Sequence, residues 1–119
     1  MNRLFDETVF HTLGAELGEA DALEVLRVFL ADTADKIAEL PANGEPRALI
    51  KRQAHSIKSS AATFGFEDLS GLARELESSA ETMTAAKLQD CLAALRQAFE
   101  TTRQFARANL LQTRIGASS

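Results

Sequence analysis

The chain has no tryptophan, no tyrosine, two prolines and a single cysteine. Aromatic and β-branched side chains suit the pleated, half-buried surface of strands, and their scarcity leaves little to build a sheet from. In their place stand alanine, leucine, glutamate, lysine, arginine and glutamine, all strong helix formers. An all-α fold follows. Cys91 has no partner for an internal disulfide, which points to a reducing compartment. No apolar run approaches the roughly 20 residues that cross a bilayer. Met1-Asn2-Arg3-Leu4-Phe5-Asp6-Glu7 also lacks the apolar core of a signal peptide. The expectation is a soluble, cytoplasmic protein with no membrane partner. A net charge of -4 argues against nucleic acid, whose phosphates recruit basic surfaces. Two histidines 44 positions apart and one cysteine make a structural metal site improbable, so no metal is expected.

The 119 residues read as one domain over 1–112, followed by a frayed tail over 113–119. Apolar residues recur at three- and four-residue steps along five segments. The first, over 6–17, carries Val9, Phe10, Leu13 and Leu17, and Gly18 ends it. A second helix is predicted to begin near Asp21, with Asp21 and Glu24 as a capping pair. Its stripe is Leu23, Leu26, Leu30, Thr33, Ile37 and Leu40, and Pro41 stops it. The third starts at Pro46 and buries Ile50, Ala54, Ile57, Ala61 and Phe64 before Gly65 breaks it. The fourth starts near Glu67 or Asp68 with Leu69, Leu72, Ala73, Leu76 and Ala80. The fifth runs from about Thr84 towards Leu110. Four long amphipathic helices with short links are expected to form an up-down-up-down four-helix bundle, with the short first helix across one end.

One segment differs in charge from its surroundings. Between Glu45 and Glu67 there is no acid, yet Arg47, Lys51, Arg52 and Lys58 fall there, with His55 among them. At about 100° per residue, His55 lies roughly 140° from the centre of its helix's apolar stripe and faces solvent. Lys51 and Lys58, at i−4 and i+3, sit on neighbouring turns, and Ala48, Ser59 and Ala62 share the outer face. An exposed neutral imidazole is a good nucleophile at physiological pH. A nearby lysine can pair with phosphoryl oxygens, and small neighbours let a partner's active site approach. The residues alone leave two readings open: a phosphoryl acceptor, or a solvated helix face.

Ala54-His55-Ser56-Ile57-Lys58-Ser59-Ser60-Ala61-Ala62-Thr63-Phe64-Gly65-Phe66, with Leu69, Leu72 and Glu77 beyond it, closely resembles the histidine-containing phosphotransfer (HPt) domain. That family carries A-H-x-[LI]-K-G-[SAG]-[AS] on a helix, a glycine about ten residues past the histidine, and then a leucine-rich helix ending in an acid or amide. The phosphoacceptor domain of chemotaxis histidine kinases is similar too. The resemblance implies a phosphorelay carrier that is not itself an enzyme. His55 would take a phosphoryl group from a receiver-domain aspartyl phosphate and pass it to another response regulator. Lys58 would stabilise the group, and Lys51, Arg52, Ala48, Ser59 and Ala62 would line the contact. Implied partners are receiver domains and a hybrid or other sensor histidine kinase, with the chain a monomer. No cofactor is expected on it, and Mg is expected on the receiver. Ser59 departs from the family's glycine; its hydroxyl has the His55 carbonyl or a phosphoryl oxygen as possible partners.

Two other functions compete with this one. The chain can be read as a phosphoacceptor domain of a kinase, phosphorylated from ATP by a separate catalytic domain, or as a helical adaptor in which His55 is incidental. A start at Met1 and a serine-rich end favour a free-standing protein over an excised domain. His11 reads as a surface or half-buried residue and Cys91 as a small core residue. The phenylalanines read as core packing; Phe29, set apart from the stripe of Leu26 and Leu30, is the one whose position leaves exposure open.

Overall fold

The five apolar stripes fall on helices in the computed structural model, which describes residues 3–111, with Leu40 and Ala80 just past the ends of theirs. These are α1 (Glu7–Leu17), α2 (Glu19–Ala38), α3 (Arg47–Phe64), α4 (Glu67–Ser79) and α5 (Ala85–Ala106). The chain then continues as a π-helical turn over Arg107–Leu111. Among the described residues there is no strand. The predicted tail over 113–119 lies outside them.

Sequence signals place most of the boundaries. Asp6 caps α1 by accepting from the Thr8 amide, and Thr84 caps α5 by accepting from the Lys87 amide. The predicted capping pair of α2 is not used. The helix begins at Glu19, directly after Gly18 (φ 91°), so Asp21 falls within its first turn. An acid there still complements the helix dipole, and one glycine suffices to turn the chain from α1 into α2. α3 begins one residue later than predicted, with Pro46 in the capping position.

α3 packs against α4 and α2, α4 against α5, and α1 against α2 and α3. Leu26, Ile50, Ile57, Leu69, Leu76, Leu92 and Leu95 are all shielded from water. Burial of each such side chain is worth about 1.5–3 kcal/mol, so this shared interior holds the helices together. One expectation about apolar positions needs correction, and one open position is settled. Leu17 is 44% exposed, as the last residue of α1 before Gly18. Phe29 is only 5% exposed. Its ring lies 4.9 Å from that of Phe64 and 5.7 Å from that of Phe66, so it forms the seam between α2 and the α3–α4 turn.

That turn is built on Gly65. It ends α3 in the left-handed region (φ 86°), and its carbonyl accepts from the Asp6 amide at 2.7 Å. A Cβ at Gly65 would stand 2.6 Å from the Asp6 carbonyl oxygen. Glycine is required here for both conformation and space. The same bond seats α1, whose approach places Phe5 5.3 Å from Phe66 and 5.0 Å from Phe105. Gly65→Ala is expected to lower unfolding stability by about 2 kcal/mol in a denaturant titration. Gly14→Ala has nothing within 4 Å to meet and should raise stability by up to about 1 kcal/mol.

Candidate functional site

The outer edge of α3 meets that of α4 in a fixed antiparallel register. Lys51 pairs with Glu81 at 3.2 Å, and one turn further along each helix His55 Nδ1 meets a Glu77 carboxylate oxygen. The other Glu77 oxygen, Oε1, is 2.5 Å from Lys58 Nζ. Two interactions hold the register from either side. The Ser70 hydroxyl donates to the Lys58 carbonyl at 3.0 Å. At the other end the Arg47 guanidinium donates to the carbonyls of Ala80 and Met83, closing the C-terminus of α4. Glu77 sits between these two anchors, so its position follows from backbone contacts.

His55 is exposed, as its helical angle predicts, with 62% of its side chain open to solvent. Its environment is less basic than the sequence suggests. The segment from Arg47 to Lys58 has no acid of its own, but α4 lays Glu77 along it and the turn after α4 adds Glu81. Lys51 is therefore an ion-pair partner of Glu81, and Lys58 is bound to Glu77. The resemblance singled out Glu77. Glu81 was missed, although the four-residue step from Glu77 to Glu81 matches the step from Lys51 to His55 and signals a ladder across two helices.

Ala48, Ser59 and Ala62 are all exposed on the His55 face, so the collar of small residues is present. Ser59 does not make the back-bond to the His55 carbonyl that its sequence position allows; its hydroxyl meets no described protein group, while its carbonyl accepts from the Thr63 hydroxyl at 3.1 Å. Arg52 is exposed and has neither an ion pair nor a hydrogen bond to a described residue. Val25 and Val28 are also exposed (38% and 58%), on the edge of α2 that meets α3 through Phe29 and through Glu39, which accepts from Gln53 at 2.6 Å. A period search finds buried stripes and leaves such off-stripe residues unassigned. His11 is exposed beside a cavity lined by Phe10, Gly14 and Leu23, remote from His55. Cys91 is buried; burial, then the Glu75 carboxylate, pushes its thiol pKa up.

The His55–Glu77 contact fixes what the imidazole can do. A carboxylate oxygen can only accept, so the contact selects the neutral tautomer with Nδ1–H as donor, in which Nε2 keeps its lone pair and meets no described residue. Lys58, and after it His55, hold the Glu77 carboxyl below the ordinary glutamate range through their hydrogen bonds. A lowered folded-state pKa means that the stabilisation is present above the ordinary glutamate range and is lost as pH falls through the lowered value. In an NMR titration of the Glu77 carboxyl, Lys58→Met is expected to raise the midpoint, and to raise it more than His55→Gln does. The reverse order would show that the imidazole is the main partner.

The sequence model of one protein family, described as Hpt domain, matches residues 24–105. The match runs from the first turns of α2 to the end of α5 and contains His55, Lys58 and Glu77. No curated protein and no solved structure matches the chain.

Proposed function

Because the chain belongs to the Hpt domain family, whose members carry phosphoryl groups on histidine in two-component signalling, we propose that His55 is the phosphoryl acceptor of a phosphorelay intermediate. On this reading α2 to α5 form an up-down-up-down four-helix bundle that presents the imidazole to receiver domains. The observation that carries the assignment is the exposed imidazole whose Nδ1 is held by Glu77.

The chemistry follows from that geometry. The Nε2 lone pair attacks the phosphorus of an aspartyl phosphate on the donor receiver. The P–O bond to the aspartate breaks, and the carboxylate leaves with the electron pair. The ring, phosphorylated at Nε2 and still protonated at Nδ1, gains positive charge, which the Glu77 carboxylate at Nδ1 offsets. Transfer onward reverses the step: an aspartate of the next receiver attacks phosphorus, and Nε2 leaves with the electron pair. Lys58 has three N–H donors, so it can keep Glu77 and still reach a phosphoryl oxygen. The divalent cation belongs to the receiver and is not a cofactor of this chain.

Docking requires the face around His55 to be open. Ala48, Ser59 and Ala62 leave room for in-line approach, and Val25 and Val28 on the adjoining edge of α2 offer apolar area to a partner.

Incubation with a phosphorylated receiver domain should place acid-labile, alkali-stable label on the wild type and none on His55→Gln, with the phosphorus on Nε2 by nitrogen NMR. Equal labelling of both proteins would overturn the assignment. Lys58→Ala should fold normally but slow transfer, or shorten the phosphohistidine lifetime, by about tenfold or more, a loss typical of one charge-assisted contact to a transferring group. Ser59→Gly should still accept the label, since its hydroxyl bonds no described group.

A further inference from the structure

The cations near His55 divide into two kinds. Lys51 is paired with Glu81, and Lys58 with Glu77. Two arginines beside them, Arg52 and Arg74, are exposed and have neither an ion pair nor a hydrogen bond to a described residue. Arg52 lies at i−3 from His55, on the side of α3 that turns towards α2. Arg74 lies at i−3 from Glu77 on α4. The register that sets Lys51 against Glu81 and His55 against Glu77 places Arg74 across from Lys58. It also borders a cavity of about 320 Å³ together with Ala62, Gly65, Ser70, Gly71 and Glu67, whose carboxylate pairs with Arg3 at 3.3 Å. The two free guanidinium groups thus stand on opposite flanks of the strip formed by His55, Ser59 and Ala62.

Resting on the phosphotransfer reading, we infer that Arg52 and Arg74 are the charged grips of the docking surface and recognise an acidic rim around the partner receiver's phosphorylation site. Charge complementarity favours this partner. The chain carries -4 overall and repels an anionic protein on average. The lysines at the site are neutralised by α4, so the attraction that orients such a partner must come from cations with no acid of their own. A guanidinium with free donors also binds carboxylates in a fixed, two-pronged geometry. Lys58 therefore serves the phosphoryl group, while Arg52 and Arg74 serve the encounter.

The test uses the full chain and, as probe, a purified receiver domain of a hybrid sensor kinase, with beryllium trifluoride at its aspartate to mimic the phosphorylated state. The double variant Arg52→Gln/Arg74→Gln is expected to bind the probe about tenfold more weakly at low ionic strength and to lose most of the salt dependence seen with wild type. Its phosphohistidine lifetime should be unchanged. Lys87→Gln, which alters charge on α5 one turn before Cys91, should bind like wild type. The inference is overturned by a double variant that binds with wild-type affinity and salt dependence, by a Lys87→Gln variant that weakens binding equally, or by a wild-type chain that does not bind the probe. Weaker binding of the double variant in a chain that takes no label on His55 would support the docking surface and overturn the phosphoacceptor assignment instead.

Discussion

Only Gly65 and Phe66 separate the end of α3 from the start of α4, and the rest of the molecule depends on that connection. A link this short forces the two helices to run antiparallel as neighbours. Gly65 alone can adopt the left-handed conformation this requires with the Asp6 carbonyl so near the position of a Cβ. Phe66, fully buried, then enters the core between Phe5 and Phe29. Once this corner is set, the Ser70 hydroxyl falls on the Lys58 carbonyl and Arg47 closes the far end of α4. Glu77 is then delivered to His55 with little freedom in the matter.

Charge along the chain and charge in space differ at this site. The run from Arg47 to Lys58 is basic because its acids lie on α4 and on the turn that follows it, and helix pairing brings them back. Surface ion pairs contribute little to stability, so the ladder of Lys51–Glu81 and Lys58–Glu77 is better understood by what it does to the site. It favours the tautomer whose Nδ1–H faces Glu77 and keeps two ammonium groups from concentrating around the exposed nitrogen.

Much of this could be read from the chain because helical period and burial are the same information. The stripe of Ile50, Ala54, Ile57, Ala61 and Phe64 is wholly buried, and the angle it defines points His55 outward. What could not be read is tertiary. The start of α2 was misplaced because a capping pair at Asp21 and Glu24 competes with a glycine turn at Gly18, and the turn prevails through the packing of α1. The sequence leaves Phe29 open because its own helix gives it no reason to be buried; Phe64 and Phe66 supply one. Glu81 was invisible for a similar reason, since its partner Lys51 is 30 positions away and only the α3–α4 register joins them.

A carrier must satisfy two opposed demands: it has to accept a phosphoryl group readily and surrender it readily. A site crowded with unpaired cations would meet the first and fail the second, because each added contact deepens the well in which the phosphohistidine sits. Binding equally tight to the bound group and to its transition state does not speed release. On the phosphotransfer reading proposed for His55, the arrangement around it avoids that trap. Lys58 must share its ammonium between Glu77 and any incoming phosphoryl oxygen, Lys51 is bound to Glu81, and the carboxylate at Nδ1 offsets the ring charge only while the group is attached. Cations that could favour encounter without deepening the well must then stand to either side of the imidazole, and Arg52 and Arg74 are so placed. On the proposed reading, separating the groups that attract the partner from those that touch the phosphoryl group would let one exposed histidine work in both directions.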